Sequence, residues 1–222
     1  MIVDIVNHLR ETRRGAMFVL DGPSGSGKNA IMEEIIKRDK NIKFSVSATT
    51  RKIREGESEG NPYYFLPNEE FDRLLEEDAF YEYVESDYGA KYGTLKSEVD
   101  SFITVGQDVL FDMDNPGLLQ MKERAPYDVV SIGILPPSID ELYSRLVKRG
   151  NNDEASIKKR MMQTFNRLQL MRTYDYVIVN VNLEESVGKL QRIISGERMK
   201  RVRQIGLPEF FKQLSKEAKK YE

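Results

Sequence analysis

Cysteine is absent from the 222-residue chain, which excludes both a disulfide scaffold and a thiolate metal site. The absence also fits a reducing compartment. The formal net charge is only −2, so the overall charge gives no reason to expect a nucleic acid or a membrane as a partner. The single histidine, His8, lies too early in the chain to be expected in a catalytic centre.

Long hydrophobic runs are also missing, because no apolar stretch approaches the roughly 18 residues that a membrane-spanning helix needs. The first ten residues lack a basic segment and are interrupted by Asp4, so they match a signal peptide poorly. Residues 2–9 instead predict a short amphipathic helix. We therefore expect a cytoplasmic location.

Short apolar runs alternate with segments of helical periodicity. Four runs have the composition of strands that are buried on both faces of a parallel sheet: residues 17–20, 109–111, 129–135 and 176–181. Residues 30–38 predict a helix, and Ser138 with Glu141 forms a capping box ahead of another. This alternation predicts a layered α/β domain.

Residues 51–100 differ from this pattern, since they contain 6 Lys or Arg against 14 Asp or Glu and are rich in aromatic side chains and glycine. Their strand candidates, residues 63–66 and 80–84, are short and half-polar. We predict an inserted antiparallel lobe carried by the core.

The last segment, residues 197–222, has 8 Lys or Arg against 4 Asp or Glu. Phe210, Phe211 and Leu214 would give it an apolar helical face. A solvated helix packed on the core is the favoured interpretation, and an arm that binds nucleic acid or membrane is the less favoured one.

The segment from residue 22 to 28, Gly-Pro-Ser-Gly-Ser-Gly-Lys, fits the phosphate-binding pattern G-x-x-x-x-G-K between a predicted strand and a predicted helix. Glycines let successive backbone N–H groups point at phosphate oxygens, and the helix N-terminus and Lys28 add positive charge. A functionless glycine-rich turn is disfavoured by this context. The predicted ATP phosphate-binding residues are Gly22, Ser24, Gly25, Ser26, Gly27, Lys28 and Asn29.

Asn29 occupies the position where this motif normally has Ser or Thr, whose hydroxyl binds Mg²⁺. An amide oxygen also suits Mg²⁺, and the sequence leaves open whether Asn29 contacts the metal, contacts one of its waters or caps the helix. Asp112 and Asp114 follow a predicted strand on the same side, where a carboxylate is the usual second Mg²⁺ contact. Asn29 and Asp112 are therefore the metal candidates.

Several separated motifs resemble, in the same order, the signature of guanylate kinases over about residues 17 to 195. They are Phe44-Ser-Val-Ser-Ala-Thr-Thr-Arg51, Arg54-Glu-Gly56, Gly60, Tyr63, Phe65, Phe80-Tyr-Glu82, Tyr92-Gly-Thr94, Asp112-Met-Asp114, Leu135-Pro-Pro-Ser138, Arg149-Gly150 and Val177-Ile-Val-Asn180. The resemblance implies one P-loop nucleoside-monophosphate-kinase-like domain, 1–222, with a three-layer parallel-sheet core. It assigns 15–46, 97–146 and 170–196 to the core, 47–96 to a GMP-binding lobe, 147–169 to a helical lid and 197–222 to a basic extension.

The same resemblance implies a GMP pocket. Glu82 and Asp114 would take the N1 and N2 edge of guanine, and Ser47 and Thr94 would meet O6. The acceptor phosphate would be held by Arg51, Arg54, Tyr63 and Tyr92. The residue types fit, because guanine presents two donors beside one acceptor and because phosphate suits the fork of an arginine.

Arg149 and Arg160 resemble the lid arginines that close over the transferring phosphoryl group, and Arg145 is a candidate to assist them. An exposed helix face is the alternative. Asn180 resembles the residue near the adenine of ATP, and the alternative is a cap at the end of a strand. The implied catalytic residues are Lys28, Arg51, Asp112, Arg149 and Arg160. The implied partners are ATP and GMP with Mg²⁺, without nucleic acid or membrane, and a homodimer is left open.

The resulting hypothesis is in-line transfer of the ATP γ-phosphoryl group to GMP, and to dGMP, without a covalent intermediate. The alternatives are a catalytically weak domain that binds a protein partner and a kinase of a ribose phosphate on the same scaffold. Four departures from the family pattern are Asn29, Asn115-Pro116-Gly117 where the family usually has Gln before the glycine, an apparent one-residue insertion between Glu85 and Tyr92, and Asn182. They bear on rate and metal geometry and leave the acceptor unchanged.

Overall fold

The computed structural model describes residues 13–86, 88–148 and 154–221. The predicted helix at 2–9, His8 and Arg149 lie outside the described residues. The strands are β1 (Met17–Asp21), β2 (Ile42–Phe44), β3 (Ser47–Thr49), β4 (Ser58–Glu59), β5 (Pro62–Phe65), β6 (Phe80–Glu85), β7 (Lys91–Leu95), β8 (Asp108–Asp112), β9 (Val129–Leu135) and β10 (Tyr176–Val179). The helices are α1 (Lys28–Arg38), α2 (Asn68–Glu76), α3 (Lys96–Ile103), α4 (Asn115–Arg124), α5 (Ile139–Lys148), α6 (Glu154–Leu170), α7 (Leu183–Arg198) and α8 (Leu207–Ala218).

The first sheet has the order β10-β9-β1-β8-β2, and all its ladders are parallel. β1 is central and every one of its residues is buried. The strands predicted at 17–20, 109–111 and 129–135 are confirmed, and the one predicted at 176–181 ends at Val179. Because parallel strands share one carboxyl edge, the segments that follow β1 and β8 emerge side by side.

Helices cover this sheet on both sides, as strand alternation requires. Phe18 and Leu20 pack in a cluster with residues of α1 and α7. Met17 and Val19 pack in a second cluster with residues of α3 and α4. The predicted three-layer core is therefore confirmed.

The second sheet has the order β4-β5-β3-β7-β6, and α2 packs on it by stacking Phe71 on Phe80 at a centroid distance of 4.5 Å. The predicted antiparallel lobe is a mixed sheet. β7 is antiparallel to both β3 and β6, whereas β5 is parallel to both β3 and β4. The connection between β3 and β5 is long enough to return the chain to the same end, which a tight hairpin would not do.

The basic segment at the C-terminus divides into two parts. Arg203 is 1% exposed and donates to the carbonyls of Gly15 and Asp128, so the part that precedes α8 is anchored to the core. α8 itself has no buried residue. Within the described ranges, no helix is long and apolar enough to cross a bilayer.

Candidate active site

The phosphate loop, defined as residues 22–28, connects β1 to α1. Gly25 and Gly27 have φ angles of 93° and 88°, a region that side chains other than glycine rarely adopt. A Cβ atom on Gly22 would lie 2.7 Å from the carbonyl oxygen of Ile134, so this position is closed to other residues. The loop therefore has the backbone freedom that the sequence motif predicts.

Asn180 supports the phosphate loop from the end of β10. Its side-chain nitrogen donates to the carbonyl of Ser26 over 2.7 Å, and its side-chain oxygen accepts from the hydroxyl of Ser186 over 2.9 Å. A Cβ atom on Gly27 would lie 2.2 Å from that nitrogen. Both ends of this buried amide are thus engaged within the protein, and the sequence resemblance, which put Asn180 near adenine, did not indicate this role.

Three arginines from α5 and α6 approach the phosphate loop. Arg160 donates to the hydroxyl of Ser24 over 2.6 Å, Arg145 to the carbonyl of Gly25 over 3.5 Å, and Arg167 to the carbonyl of Gly22 over 3.2 Å. Arg145 and Arg167 line a cavity of about 450 Å³ together with Lys28 and Asn29. Arg145 and Arg160 were sequence candidates, and Arg167 was not.

Lys28 and Asp112 form an ion pair across the carboxyl edge of the first sheet. Lys28 begins α1 and Asp112 ends β8, the neighbour of β1, so the parallel register brings the two predicted catalytic residues together. Asp114 is exposed and lies just before α4.

Asp21, the last residue of β1, is a fully buried carboxylate that sequence reasoning missed. It accepts from the backbone N–H of Gly22 over 2.7 Å and from the hydroxyl of Tyr174 over 2.8 Å. Arg167 pairs with it at 3.3 Å. An acidic residue at the end of an otherwise apolar buried strand, directly before the loop, was the available signal for it.

Four acceptor candidates form a row across the second sheet. Ser47 is paired with Tyr63, and Glu82 is paired with Thr94. Extending the register of β3 and β7 by one residue sets Ser47 beside Thr94. Strands β5, β3, β7 and β6 thus present Tyr63, Ser47, Thr94 and Glu82 in sequence, although these residues are far apart in the chain.

Glu82 is buried and accepts from the hydroxyl of Thr94 over 2.7 Å. Burial raises the pKa of Glu82 to about 7, and the hydrogen bond from Thr94 partly offsets this while the charge of Asp114 adds to it. Glu82 and Asp114 are therefore close enough to interact, as the sequence interpretation requires.

Arg51 is fixed at the other end of this site. Its guanidinium donates two hydrogen bonds of 2.9 Å to the carboxylate of Glu57. The same group lies 5.3 Å from the ring centre of Tyr63. The ring of Tyr63 packs edge-on against that of Tyr92, with 5.7 Å between the ring centres. Arg51 and, secondarily, the backbone N–H of Arg54 hold the pKa of Glu57 below its usual range. The side chain of Arg54 is exposed. Glu57 was missed because it was one of many acids in this lobe.

The two halves of the site meet at Asp112. A cavity of about 220 Å³ is lined by Ser47 and Tyr63 from the second sheet and by Asp112 from the first. Among the described residues, no group of three or more His, Cys, Asp or Glu could hold a metal ion. The two residues predicted to hold the metal are exposed beside the phosphate loop, and they are a carboxylate, Asp112, and an amide, Asn29.

Comparisons with known proteins agree on one family. A family model described as "Guanylate kinase" matches residues 14–197. Curated guanylate kinases from Paramagnetospirillum magneticum and Novosphingobium aromaticivorans are 41% and 42% identical to the chain, over 91% of it and over 94% and 91% of their own lengths. The crystal structure of guanylate kinase from Anaplasma phagocytophilum is 34% identical, with a TM-score of 0.69, and the match covers 90% of this chain and 94% of that one.

Proposed function

Because the chain belongs to the guanylate kinase family, we propose that it transfers the γ-phosphoryl group of ATP to GMP, giving ADP and GDP. One observation carries the direct transfer between two bound nucleotides. Ser47 and Tyr63 of the polar row line a cavity together with Asp112, whose partner Lys28 belongs to the phosphate loop. A donor and an acceptor bound at these two places would have their phosphates side by side.

On the donor side, the phosphate loop receives the ATP phosphates. Its backbone N–H groups and the start of α1 supply partial positive charge, and Lys28 supplies a full charge near the β- and γ-phosphates. The hydroxyls of Ser24 and Ser26 are further donors within the loop.

On the acceptor side, Glu82 and Asp114 accept from the guanine N1–H and N2–H groups, and Ser47 and Thr94 face O6. Arg51, Arg54, Tyr63 and Tyr92 hold the phosphate of GMP. Two observations support this division: Arg51 lies against the ring of Tyr63, and Glu82 lies at the opposite end of the row. GMP would therefore lie across the second sheet, with its guanine base at the Glu82 end and its phosphate at the Arg51 end.

Mg²⁺ would accompany ATP. The donor set fits this ion, which commonly takes one or two carboxylates together with phosphate oxygens and waters. Asp112 and Asn29 would hold it, and it would neutralise charge on the β- and γ-phosphate oxygens.

Catalysis of this transfer then depends on positioning the two substrates and neutralising the charge of their phosphates more than on proton transfer. A phosphate oxygen of GMP is already anionic, so it attacks the γ-phosphorus in line without a strong general base. Arg160 and Arg145, which already contact the loop, stabilise the equatorial oxygens in the transition state, and Arg149 is proposed as their companion from sequence alone. Closure of the lobe and the lid would exclude water and suppress ATP hydrolysis.

A coupled ADP-release assay tests the proposal. ATP and Mg²⁺ are combined with GMP, dGMP, AMP, UMP or a ribose phosphate in turn. We expect turnover with GMP and dGMP. Turnover with AMP or a ribose phosphate but not with GMP would overturn the acceptor, and GMP binding without turnover on any acceptor would favour a domain that only binds.

A further inference from the structure

Arg167 lies on the face of α6 that is turned toward the phosphate loop. Ile157, Arg160, Thr164 and Arg167 recur at spacings of three or four residues, so they share one helix face. Ile157 and Thr164 are buried there. The two arginines of this face both hydrogen-bond to the loop.

The two arginines differ in what holds them. Arg160 reaches the hydroxyl of Ser24. Arg167 is fixed at two points, because its Nε lies 3.3 Å from Asp21 Oδ1 and its Nη1 donates to the carbonyl of Gly22 over 3.2 Å. Within the described part of the chain, Arg167 is the cation that pairs with Asp21.

Asp21 needs such a cation for two reasons. It is completely buried, and a buried carboxylate is costly unless it is paired and hydrogen-bonded. It also stands directly before a loop that binds anions under the proposed function, so its negative charge would repel the phosphates. The N–H of Gly22 and the hydroxyl of Tyr174 bond to Asp21 but bring no net charge.

We propose that Arg167 is a positioning residue for the nucleotide donor: it neutralises Asp21 and fixes Gly22, so that the phosphate loop accepts an anionic polyphosphate. This inference rests on the proposed function. It adds a residue of α6 to the donor site and explains why a carboxylate is tolerated at the base of that loop. Arg160, by contrast, pairs with no carboxylate among the residues that the structure describes, and it is available to the transferring group.

The test measures ADP and GMP binding to the full chain by isothermal titration calorimetry. Arg167→Gln should weaken ADP binding about tenfold, since it leaves a buried charge unpaired, and should leave GMP binding unchanged. Asp21→Asn combined with Arg167→Gln should recover ADP binding to within about threefold of wild type, because the repelling charge is gone and the amide still bonds to Gly22 and Tyr174. A merely structural role predicts no such recovery.

Two further variants complete the design. Arg167→Lys keeps the positive charge, so its dissociation constant for ADP should lie within about threefold of the wild-type value. If Arg167→Gln does not fold, Arg167→Lys is compared with wild type in its place. Arg172→Gln removes an exposed arginine five residues further on and should change nothing. Normal ADP binding by Arg167→Gln, equal loss of ADP and GMP binding, or a double variant no better than the single one would overturn the inference. Absence of ADP binding by the wild-type protein would overturn the proposed function as well.

Discussion

The hydroxyl of Thr94 donates to the carboxylate of Glu82 over 2.7 Å, and both residues are buried in the sheet that holds the acceptor row. Burial raises the pKa of Glu82 to about 7, so the charge on this carboxylate changes within the physiological range. Under the proposed function, the same carboxylate accepts from the N–H groups of guanine. Its protonation state therefore decides both acceptor binding and stability.

The first prediction concerns the pH dependence of acceptor use. A protonated Glu82 cannot accept two N–H donors, so the KM for GMP should rise as the pH falls through about 7. If only the ionised form binds, the KM should rise about eightfold between pH 7.5 and pH 6. Steady-state kinetics at saturating ATP measure this rise.

Glu82→Gln supplies the control for this profile. The variant should use GMP poorly at every pH and should keep the KM for ATP nearly unchanged, and any slope that remains in its KM for GMP belongs to the substrate phosphate. A wild-type profile as flat as that of the variant, or equal loss of GMP and ATP use, would mean that Glu82 is a structural residue.

The second prediction concerns the stability of the ligand-free protein. The folded pKa of Glu82 lies above its ordinary value of 4.5, so the folded state binds more protons between pH 4.5 and about 7. The contribution of Glu82 to stability is complete below about 4.5 and is lost as the pH rises through 7. At pH 8 Glu82→Gln should therefore be roughly 1–3 kcal/mol more stable than wild type, since each pKa unit corresponds to about 1.36 kcal/mol.

Urea unfolding at pH 8 and at pH 5 measures this difference without ligand. The advantage of Glu82→Gln should shrink at pH 5, where the wild-type carboxyl is mostly protonated. A variant that is less stable than wild type at both values would contradict the assigned cause, because the buried charge would then not be the dominant cost.

Much of the fold was predictable because buried strands and phosphate loops depend on local patterns. The apolar runs that became β1, β8 and β9 and the glycines before Lys28 carry their signal within a few residues. β2 has one buried residue and gave no such signal. The mixed order of the second sheet depends on how β5 returns beside β3, which no local pattern records.

The site residues divide in the same way. Glu82 and Thr94 belong to recognisable motifs, and the structure adds that they are paired. Asp21 and Arg167 are separated by 146 positions, and each looks ordinary in the sequence. Their importance arises only when the carboxyl end of β1 meets α6, so it could not be predicted from either residue alone.

The third prediction concerns Asn29, which lines the phosphate cavity with an exposed side chain. A serine hydroxyl is closer to the backbone and is the usual Mg²⁺ contact after the lysine. Asn29→Ser should therefore raise turnover or lower the Mg²⁺ concentration needed for half-maximal rate. Asn29→Ala, which offers no oxygen, is the matched control and should do neither. A fall in activity for Asn29→Ser would show that the loop has adapted to the amide.

The fourth prediction concerns Asn180, whose buried amide bridges Ser26 and Ser186. Asn180→Ala leaves both partners unsatisfied and should cost roughly 1–3 kcal/mol of stability. The KM for ATP should rise more than the KM for GMP, because the lost contact supports the phosphate loop and not the acceptor row.

Asn182→Ala is the control, since Asn182 caps α7 by accepting from Glu185 over 3.2 Å and is exposed. This variant should lose about 1 kcal/mol of stability without a selective change in the KM for ATP. If Asn180→Ala destabilises the protein but changes both KM values equally, the amide supports the core and not the loop.

The fifth prediction separates the two parts of the basic C-terminal segment. Arg203 is buried, donates to Gly15 and Asp128, and lies 3.5 Å from the buried carboxylate of Glu197, whereas α8 has no buried residue. Truncation after Gly206 should therefore change the free energy of unfolding by no more than about 0.5 kcal/mol. Truncation after Lys200 removes Arg203 and leaves Glu197 without this partner, which should cost roughly 3–5 kcal/mol. Urea unfolding of both truncated proteins beside the full chain makes the comparison, and equal losses would mean that α8, despite its exposure, is part of the folded core.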